Sequence, residues 1–190
     1  MISYWACWTG VVDHHACDRI IDRGLKLKHQ SAGIGHDDNS RLSLNYRSTK
    51  IGWFDRIKDR DIVDLITIYA TEANREFFGF DISHGIFEMQ FTMYNANEKA
   101  KYDWHSDTMF KINRRSDRKL SFVLQLSDPL EYDGGSFEFN NVDNAVFNQK
   151  DFLPKGSVIV FPSVLEHRVT EVTRGTRYSL VSWIEGPKWR

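Results

Sequence analysis

FEMQFTMY at residues 87–94 and LSFVLQLS at residues 120–127 carry the clearest strand pattern in the chain, and the fold can be predicted from them. In both stretches, apolar side chains occupy every second position. Side chains of a β-strand point alternately to its two faces, so a period of two predicts strands that turn one face towards a core. Upstream of about residue 82 the apolar period is instead close to that of a helix. The sequence therefore predicts helices first and strands afterwards.

Turn-forming residues divide the remaining C-terminal sequence into further short strands. The Asp-Gly-Gly sequence at 133–135 and the Pro-Lys-Gly sequence at 154–156 each predict a turn. The strands predicted around these turns start at Phe137 and cover residues 157–161, 167–172 and 176–184. The pattern thus predicts about seven or eight short strands after residue 82.

Two amphipathic helices are predicted before the strands. The first covers about residues 13–28, with Asp13 as its N-cap. The second covers about residues 60–78 and is expected to stop at Gly79. The intervening sequence is rich in Gly, Ser, Asn and Asp, which indicates a loop with at most a short strand.

Helices followed by many short strands indicate an α+β fold that is mainly β. We expect a double-stranded β-helix, or cupin-like jelly roll, buttressed by N-terminal helices. The length of the chain suits a single domain, residues 1–190. Within it we expect mainly helical N-terminal support at 1–81 and a jelly-roll catalytic core at 82–186.

Charge and cysteine content exclude several classes of protein. The formal net charge is −1, so the chain lacks the overall basic field that nucleic-acid binding usually needs. Cys7 and Cys17 are too few for the disulfide framework of a secreted domain. The N-terminal sequence does not resemble a signal peptide, and no stretch approaches the roughly 20 apolar residues of a membrane span. We therefore expect a cytoplasmic protein without a membrane partner.

His105, Asp107 and His167 form a candidate metal-binding set. His105 and Asp107 are two residues apart in YDWHSDTMF, and His167 begins a later predicted strand. Residues two apart share one face of a strand, so His105 and Asp107 could reach the same ion. Two imidazoles and one carboxylate are the ligand set of a non-haem Fe(II) centre with open coordination positions. Spacing alone leaves the alternative that these are ordinary residues at strand ends.

A second His-x-Asp sequence shows how weak that spacing is by itself. His36 and Asp38 repeat it in GIGHDDNS, within a Gly-rich stretch that lacks a strand pattern. We interpret this copy as polar loop residues. No role in the site is assigned to the remaining histidines, which are His14, His15, His29 and His84.

Arg177 and Ser179 form a candidate anion site close behind His167. They are two residues apart in a predicted strand and therefore share a face. A guanidinium pairs bidentately with a carboxylate, and a serine hydroxyl can donate to the same group. The pair could thus hold an acidic co-substrate. The alternative is that Arg177 closes an ion pair inside the protein.

Taken in order, these motifs resemble those of the 2-oxoglutarate/Fe(II)-dependent dioxygenases. The chain is most similar to the PKHD-type hydroxylases of the prolyl 4-hydroxylase-like superfamily. The resemblance covers about residues 82–186. It rests on the ordered combination of Tyr-x-x-His-x-Asp at 102–107, the Gly-Gly hairpin at 134–135, and His-x9-Arg-x-Ser at 167–179. Such a combination is much more specific than any one of its parts.

The resemblance implies a role for each matching residue. His105, Asp107 and His167 correspond to the iron ligands. Arg177 corresponds to the partner of the distal carboxylate of 2-oxoglutarate, with Ser179 assisting. The tyrosines that match those lining the co-substrate pocket are Tyr102 and Tyr94.

The resemblance also implies a reaction, a 2-oxoglutarate- and O2-dependent hydroxylation that uses non-haem Fe(II), with ascorbate as a further candidate cofactor. It favours a prolyl 4-hydroxylase-like enzyme that acts on a protein or peptide. A free amino acid, another small molecule or a nucleic acid stays open as the substrate. A further alternative is that the chain is not an enzyme but a cupin-like binding protein. The 31–50 loop could form a lid beside the site, together with Tyr46, Arg47 and Trp53. The alternative is that these residues are loop anchors and core aromatics.

Overall fold

The computed structural model describes residues 4–32, 46–108, 115–140, 142 and 148–189. The helices are α1 (His14–Leu25) and α2 (Arg60–Ala73), which a π-helical turn (Asn74–Phe78) extends. The strands are β1 (Ala6–Trp8), β2 (Gln30–Ser31), β3 (Lys50–Trp53), β4 (Gly85–Asn95), β5 (Tyr102–His105), β6 (Ser116–Gln125), β7 (Tyr132–Gly134), β8 (Phe137–Phe139), β9 (Val158–Pro162), β10 (His167–Val169) and β11 (Val172–Pro187). Single 3-10 turns lie at Ala96–Glu98 and Gln149–Asp151.

Both predicted helices are confirmed, with small differences at their C-terminal ends. The carboxylate of Asp13 accepts the backbone N–H of Ala16 at 3.1 Å, which confirms the predicted N-cap of α1. The second helix is regular only to Ala73, and the π-helical turn then continues it to Phe78. Gly79 closes that turn in the left-handed conformation, with φ 65°. A glycine adopts this conformation without the steric cost of a Cβ, so the predicted stop is confirmed.

The larger sheet is antiparallel and has the order β1-β9-β6-β11-β4-β3-β2, with β7 paired to β11. The long strand β11 lies at its centre, between β6 and β4. The smaller sheet has the order β5-β10-β8 and is antiparallel too. The predicted jelly-roll architecture with helical buttresses is confirmed. Neither described helix has the length and apolar composition that a bilayer-spanning helix requires.

Two hydrophobic clusters hold the layers together. In the first, Cys17 of α1 and Ile66 of α2 pack with Phe91 and Leu124 on one face of the larger sheet. The second joins the other face to the smaller sheet, and its members include Val123, Phe161, Phe137 and Val169. The layers are therefore helices, larger sheet and smaller sheet, with a separate core on each side of the larger sheet.

The polar residues of the alternating stretches are buried as well. Gln90, Ser121 and Ser179 each expose 3% or less of their surface, because they lie on the face that the smaller sheet covers. In an antiparallel sheet with one solvated face, the polar positions would meet water. Here the polar face points into the interior, and it carries the candidate site.

The N-terminal sequence contributes strands that the sequence analysis did not predict. Strands β1 to β3 extend the larger sheet at both of its edges. Strand β1 has only three residues and β2 only two, too few for an alternating pattern to be read. The division of the chain at residues 81 and 82 stays a prediction.

Candidate metal centre

The structure brings His105, Asp107 and His167 together at one end of the smaller sheet. His105 ends β5, His167 begins β10, and the two residues are direct partners in the antiparallel ladder. His105 Nε2 lies 3.7 Å from Asp107 Oδ1, and His167 Nε2 lies 3.5 Å from Asp107 Oδ2. Ligand atoms of all three lie within 4.8 Å of one another. In the described part of the chain, no other group of three His, Cys, Asp or Glu side chains is arranged in this way.

Backbone carbonyls orient both imidazoles. His105 Nδ1 lies 2.7 Å from the carbonyl oxygen of Asp103, and His167 Nδ1 lies 3.0 Å from that of Leu165. A carbonyl oxygen only accepts, so each Nδ1 carries the hydrogen. Each Nε2 therefore keeps its lone pair and turns it towards Asp107. Metal-binding histidines in proteins are usually held in this way through their second nitrogen.

Asp107 is held by hydrogen bonds outside strand β5, so the expectation that it shares a strand face with His105 is wrong. Strand β5 ends at His105, so Asp107 does not occupy the next pleat. The Asp107 backbone N–H donates to the Ser163 carbonyl at 2.9 Å. Its Oδ2 accepts the Ser121 hydroxyl at 2.7 Å, and Ser121 Oγ lies 3.0 Å from Ser163 Oγ. The carboxylate is thus held from β6 and from the segment after β9.

Burial and charge keep these groups in metal-binding protonation states. Burial lowers the pKa of His105 to about 3, and the neighbouring His167 adds to this effect. For Asp107, burial alone would raise the pKa. The nearby imidazoles and Arg118 outweigh that effect and lower the pKa to about 2. Metal ions bind neutral imidazole and ionised carboxylate, so at neutral pH both groups are ready to act as ligands.

The two His–Asp separations fit a first-row divalent metal. Donors about 2.1 Å from one ion can lie up to about 4.2 Å apart, and the two His–Asp separations are shorter than this. Two imidazoles and one carboxylate are the donor set of non-haem Fe(II) sites. Such a donor set leaves coordination positions of the metal open. The same three residues line a cavity.

About 400 Å³ of space lies between the atoms that line this cavity, a volume that includes its opening to solvent. Arg177, the largest of the fully buried side chains, lines it together with Ser179. Their side chains share the inner face of β11 as predicted, while Tyr178 between them stacks on Phe91 at the helical face. Among the described residues, Arg177 forms no ion pair with a carboxylate, which disfavours the alternative of an internal salt bridge.

A β-bulge places Tyr102 on the same side of β5 as His105. Across the ladder, His105 pairs with His167 and Tyr102 pairs with Val169, so β5 has one residue more than β10 between these pairs. The Tyr102 ring stacks on the His105 imidazole with centroids 3.4 Å apart. In a regular strand, two residues that are three positions apart, as Tyr102 and His105 are, would face opposite sides. Regular alternation therefore could not have predicted this placement.

Tyr94 also lines the cavity, from β4. It is the ladder partner of Arg177, whose Cζ lies 5.3 Å from the centre of its ring. Burial raises the pKa of Tyr94, and the positive charges of Arg177 and Arg47 oppose that rise. The sequence analysis named Tyr94 and Tyr102 as lining residues, and the structure brings both into the cavity.

Arg47, a candidate for the lid beside the site, lines the cavity. Several further lining residues were not assigned to the site from the sequence: Gln90, Val123, Phe137, Val169, Val181 and Trp183. Two of them could have been found, because Val181 and Trp183 continue the alternation of Arg177 and Ser179 along β11. Trp183 is buried, and its Nε1 has no hydrogen-bond partner among the described residues. His36 and Asp38, the second His-x-Asp sequence, lie outside the described residues. Most of the 31–50 loop, the candidate lid, lies outside them as well.

The family model described as the 2OG-Fe(II) oxygenase superfamily, where 2OG is 2-oxoglutarate, matches residues 89–185. A PKHD-type hydroxylase of Prochlorococcus marinus is 40% identical over 94 residues, which are 49% of this chain and 40% of that protein. A PKHD-type hydroxylase of Synechococcus sp. (strain JA-2-3B'a(2-13)) is 33% identical over 151 residues, 77% of this chain and 62% of that protein. The chain thus spans less than two thirds of the length of either relative.

Solved structures share the fold at lower identity. The collagen prolyl hydroxylase of Paramecium Bursaria Chlorella virus-1, solved as a 2OG complex, aligns with a TM-score of 0.65 and 17% identity over 97% of each chain. A Pseudomonas putida prolyl-4-hydroxylase aligns with a TM-score of 0.66 and 21% identity, over 95% of this chain and 92% of that one. The matched family model covers half of the chain and contains the candidate metal ligands, Tyr94, Tyr102, Arg177 and Ser179. The chain therefore belongs to the 2OG-Fe(II) oxygenase superfamily.

Proposed function

We propose that this protein is a 2OG- and O2-dependent hydroxylase that uses non-haem Fe(II). One observation carries the proposal. The His105–Asp107–His167 group and the buried Arg177, which pairs with no carboxylate in the described part of the chain, line a single cavity. A metal site alone would fit many proteins, and so would a buried arginine. Their combination fits a co-substrate with one carboxylate for the arginine and a second end for the metal.

In this proposal His105, Asp107 and His167 hold Fe(II), and each donor is fixed before the metal binds. The carbonyls of Asp103 and Leu165 set the imidazoles, and Ser121 sets the carboxylate. Such preorganised donors need little rearrangement on binding. Loss of any one ligand is expected to abolish turnover.

Arg177 anchors the distal carboxylate of 2OG, with Ser179 assisting from the same strand face. Because Arg177 is only 2% exposed, its charge is poorly compensated by water, and a carboxylate that enters the cavity gains a strong interaction. Tyr94 and Tyr102 flank this space and keep it narrow. Bound Fe(II) and 2OG supply the oxidative chemistry, in which 2OG is converted to succinate and CO2 as a substrate C–H bond is hydroxylated.

The apolar walls of the cavity would exclude water from the reacting groups. Val123, Phe137, Val169 and Val181 belong to these walls. A dry site strengthens the electrostatic interactions inside it and limits side reactions. The protein thereby contributes position and environment.

We propose a prolyl residue of a protein or peptide as the first substrate class to test. Support comes from related proteins. A collagen prolyl hydroxylase and a prolyl-4-hydroxylase have the same fold, and the sequence relatives include PKHD-type hydroxylases. A free amino acid or other small molecule is the main alternative. The net charge of −1 gives no support to a nucleic-acid substrate.

Turnover tests this proposal directly. Protein loaded with Fe(II), 2OG and ascorbate is mixed with pools of peptides or of free amino acids, and succinate is measured together with an added oxygen atom by mass spectrometry. We expect a pool to raise succinate formation above the uncoupled rate, and Asp107→Ala to abolish it. Asp64→Ala is the control, since it removes an exposed carboxylate of α2 that pairs with Arg60, and it should leave activity intact. Equal loss in both variants, or no succinate from the wild type, would contradict the proposal.

A further inference from the structure

A second buried arginine, Arg47, lines the same cavity as Arg177. It precedes β3 and forms an isolated antiparallel bridge with Tyr102 of β5. The residue is 9% exposed. Its Cζ lies 4.2 Å from the centre of the Tyr102 ring, and its Nε donates to the Thr49 hydroxyl at 3.0 Å. The position of the guanidinium is therefore well defined by its neighbours.

Arg47 lies beside the candidate metal ligands. The ring of Tyr102 contacts both its guanidinium and the His105 imidazole, so the charge is about one aromatic ring away from His105. Its electrostatic influence reaches His105, Tyr102 and Tyr94. Arg47 thus approaches the cavity from the smaller sheet, whereas Arg177 approaches from the larger one.

The positive charge of Arg47 is not neutralised by the described residues. Its guanidinium has five N–H donors, and only Nε makes a hydrogen bond within the described part of the chain. No described carboxylate forms an ion pair with it, and Asp107, the carboxylate of the cavity, is engaged by Ser121 and the two imidazoles. An arginine that faces a cavity without a carboxylate partner is a ready binding site for an anionic ligand.

The proposed co-substrate does not supply that ligand. Of the two carboxylates of 2OG, Arg177 takes the distal one and the metal end takes the other. A cavity with two free guanidiniums therefore has one cationic site more than the co-substrate needs. The stacking on Tyr102 accounts for one face of the Arg47 guanidinium but leaves its charge in place.

Resting on the proposed function, we propose that Arg47 binds a carboxylate of the primary substrate. The substrate class is then a carboxylate-bearing molecule whose anionic group lies beside Tyr102 while its C–H bond faces the metal ligands. The carboxylate can belong to a free amino acid or to an acidic or C-terminal residue of a peptide. Both sources present the same planar group to the same guanidinium.

The test compares wild type with Arg47→Gln, Arg47→Lys and a control, Arg174→Gln. Arg174 lies on β11 but is exposed and pairs with Asp133, so the control removes one positive charge outside the cavity. Each protein is first titrated anaerobically with 2OG in the presence of Fe(II). Arg47→Gln should bind 2OG as the wild type does, because Arg177 is intact.

Two sets of probes then distinguish the source of the carboxylate. One set is the free L-amino acids against their carboxamides, and the other is proline-containing peptides with Asp or Glu against the same peptides with Asn or Gln. Binding is read from the thermal midpoint of the Mn(II)–2OG protein, and turnover from succinate. In one set the wild type and Arg174→Gln should favour the carboxylate probe by about tenfold or more. Arg47→Gln should lose this preference, and Arg47→Lys should keep part of it.

Either of two results overturns the inference. The first is that the wild type binds and turns over the carboxylate and amide probes equally in both sets, although its 2OG binding is normal. The second is a loss of 2OG affinity in Arg47→Gln, which would make Arg47 part of the co-substrate site. Failure of the proposed function itself is separate, since it would show as absence of 2OG binding in the wild type.

Discussion

His105 and His167 lie directly opposite each other on β5 and β10, and each imidazole donates its Nδ1 hydrogen to the carbonyl oxygen two residues before it. The same local geometry therefore occurs twice across one ladder pair. It turns both Nε2 atoms towards Asp107 and brings the ring centres to 4.2 Å. The predictions that follow concern the groups that fix these donors and the arginine beyond them.

Replacement of Arg177 by Gln should weaken 2OG binding and leave metal binding unchanged. A buried charge pair that loses one partner typically costs about 2 kcal/mol or more, which corresponds to a rise in Kd of about 30-fold. Anaerobic titration with 2OG measures this, and Mn(II) binding checks that the variant is folded. Arg174→Gln, three residues earlier on β11, should have no effect. Unaltered 2OG affinity in Arg177→Gln would remove Arg177 from its proposed role.

Replacement of Ser121 by Ala should weaken metal binding although Ser121 is not a candidate ligand. The variant loses the 2.7 Å hydrogen bond to Asp107 Oδ2. Loss of a group that orients a metal ligand usually lowers affinity by about 10- to 100-fold. Ser182→Ala is a matched control, because that buried hydroxyl donates to the Glu88 carbonyl on a neighbouring strand. If Fe(II) affinity fell equally in both variants, the effect would be general destabilisation.

Replacement of Gly135 by Ala should displace Arg177. Gly135 has φ +61°, and a Cβ there would lie 3.0 Å from Arg177 Cδ and 2.8 Å from Val172 Cγ2. Gly79→Ala is the control, since Gly79 has φ +65° with no atom within 4 Å of the added Cβ. Both changes should lower the free energy of unfolding by about 1–3 kcal/mol. Only Gly135→Ala should also raise the Kd for 2OG. Equal 2OG affinity in the two variants would mean that the added Cβ does not displace Arg177 from the co-substrate site.

The metal-free protein should lose stability as the pH falls below about 6.5, partly through His105. The folded-state pKa of His105, about 3, lies below the ordinary value of histidine, about 6.5. Between these values the unfolded chain binds a proton that the folded chain does not, so the free energy of unfolding decreases with falling pH. The contribution approaches about 1.4 kcal/mol per pH unit.

Urea unfolding with a chelator present, at several pH values from about 7 to 5, measures this slope. His105→Gln cannot take up the proton and should show a shallower decrease than the wild type. If the free energy of unfolding fell equally with pH in both proteins, His105 would not keep its low pKa when the metal is absent.

Local patterns were sufficient to predict the helices and the switch to strands. The alternation around Phe91 and Leu124 depends only on neighbours in the sequence, and so does the capping of α1 by Asp13. The candidate metal ligands were selected by residue type and order. The structure brings His105 and His167 together through pairing of strands that are 62 residues apart in sequence.

The parts that sequence patterns missed depend on long-range contacts. Strands β1 and β2 are short and owe their conformation to neighbours far away in the chain. The bulge that puts Tyr102 beside His105 exists only in relation to β10. Arg47 reaches the cavity through a single bridge to Tyr102, which no local period can indicate.

We propose that one cavity holds Fe(II) through His105, Asp107 and His167 and 2OG through Arg177. Anaerobic optical titration of the protein with Fe(II) and 2OG tests it most directly. We predict a metal-to-ligand charge-transfer band in the wild type, no such band in Asp107→Ala, and a band that requires much higher 2OG concentrations in Arg177→Gln. Absence of the band in the wild type, or an unchanged titration in both variants, would contradict the account.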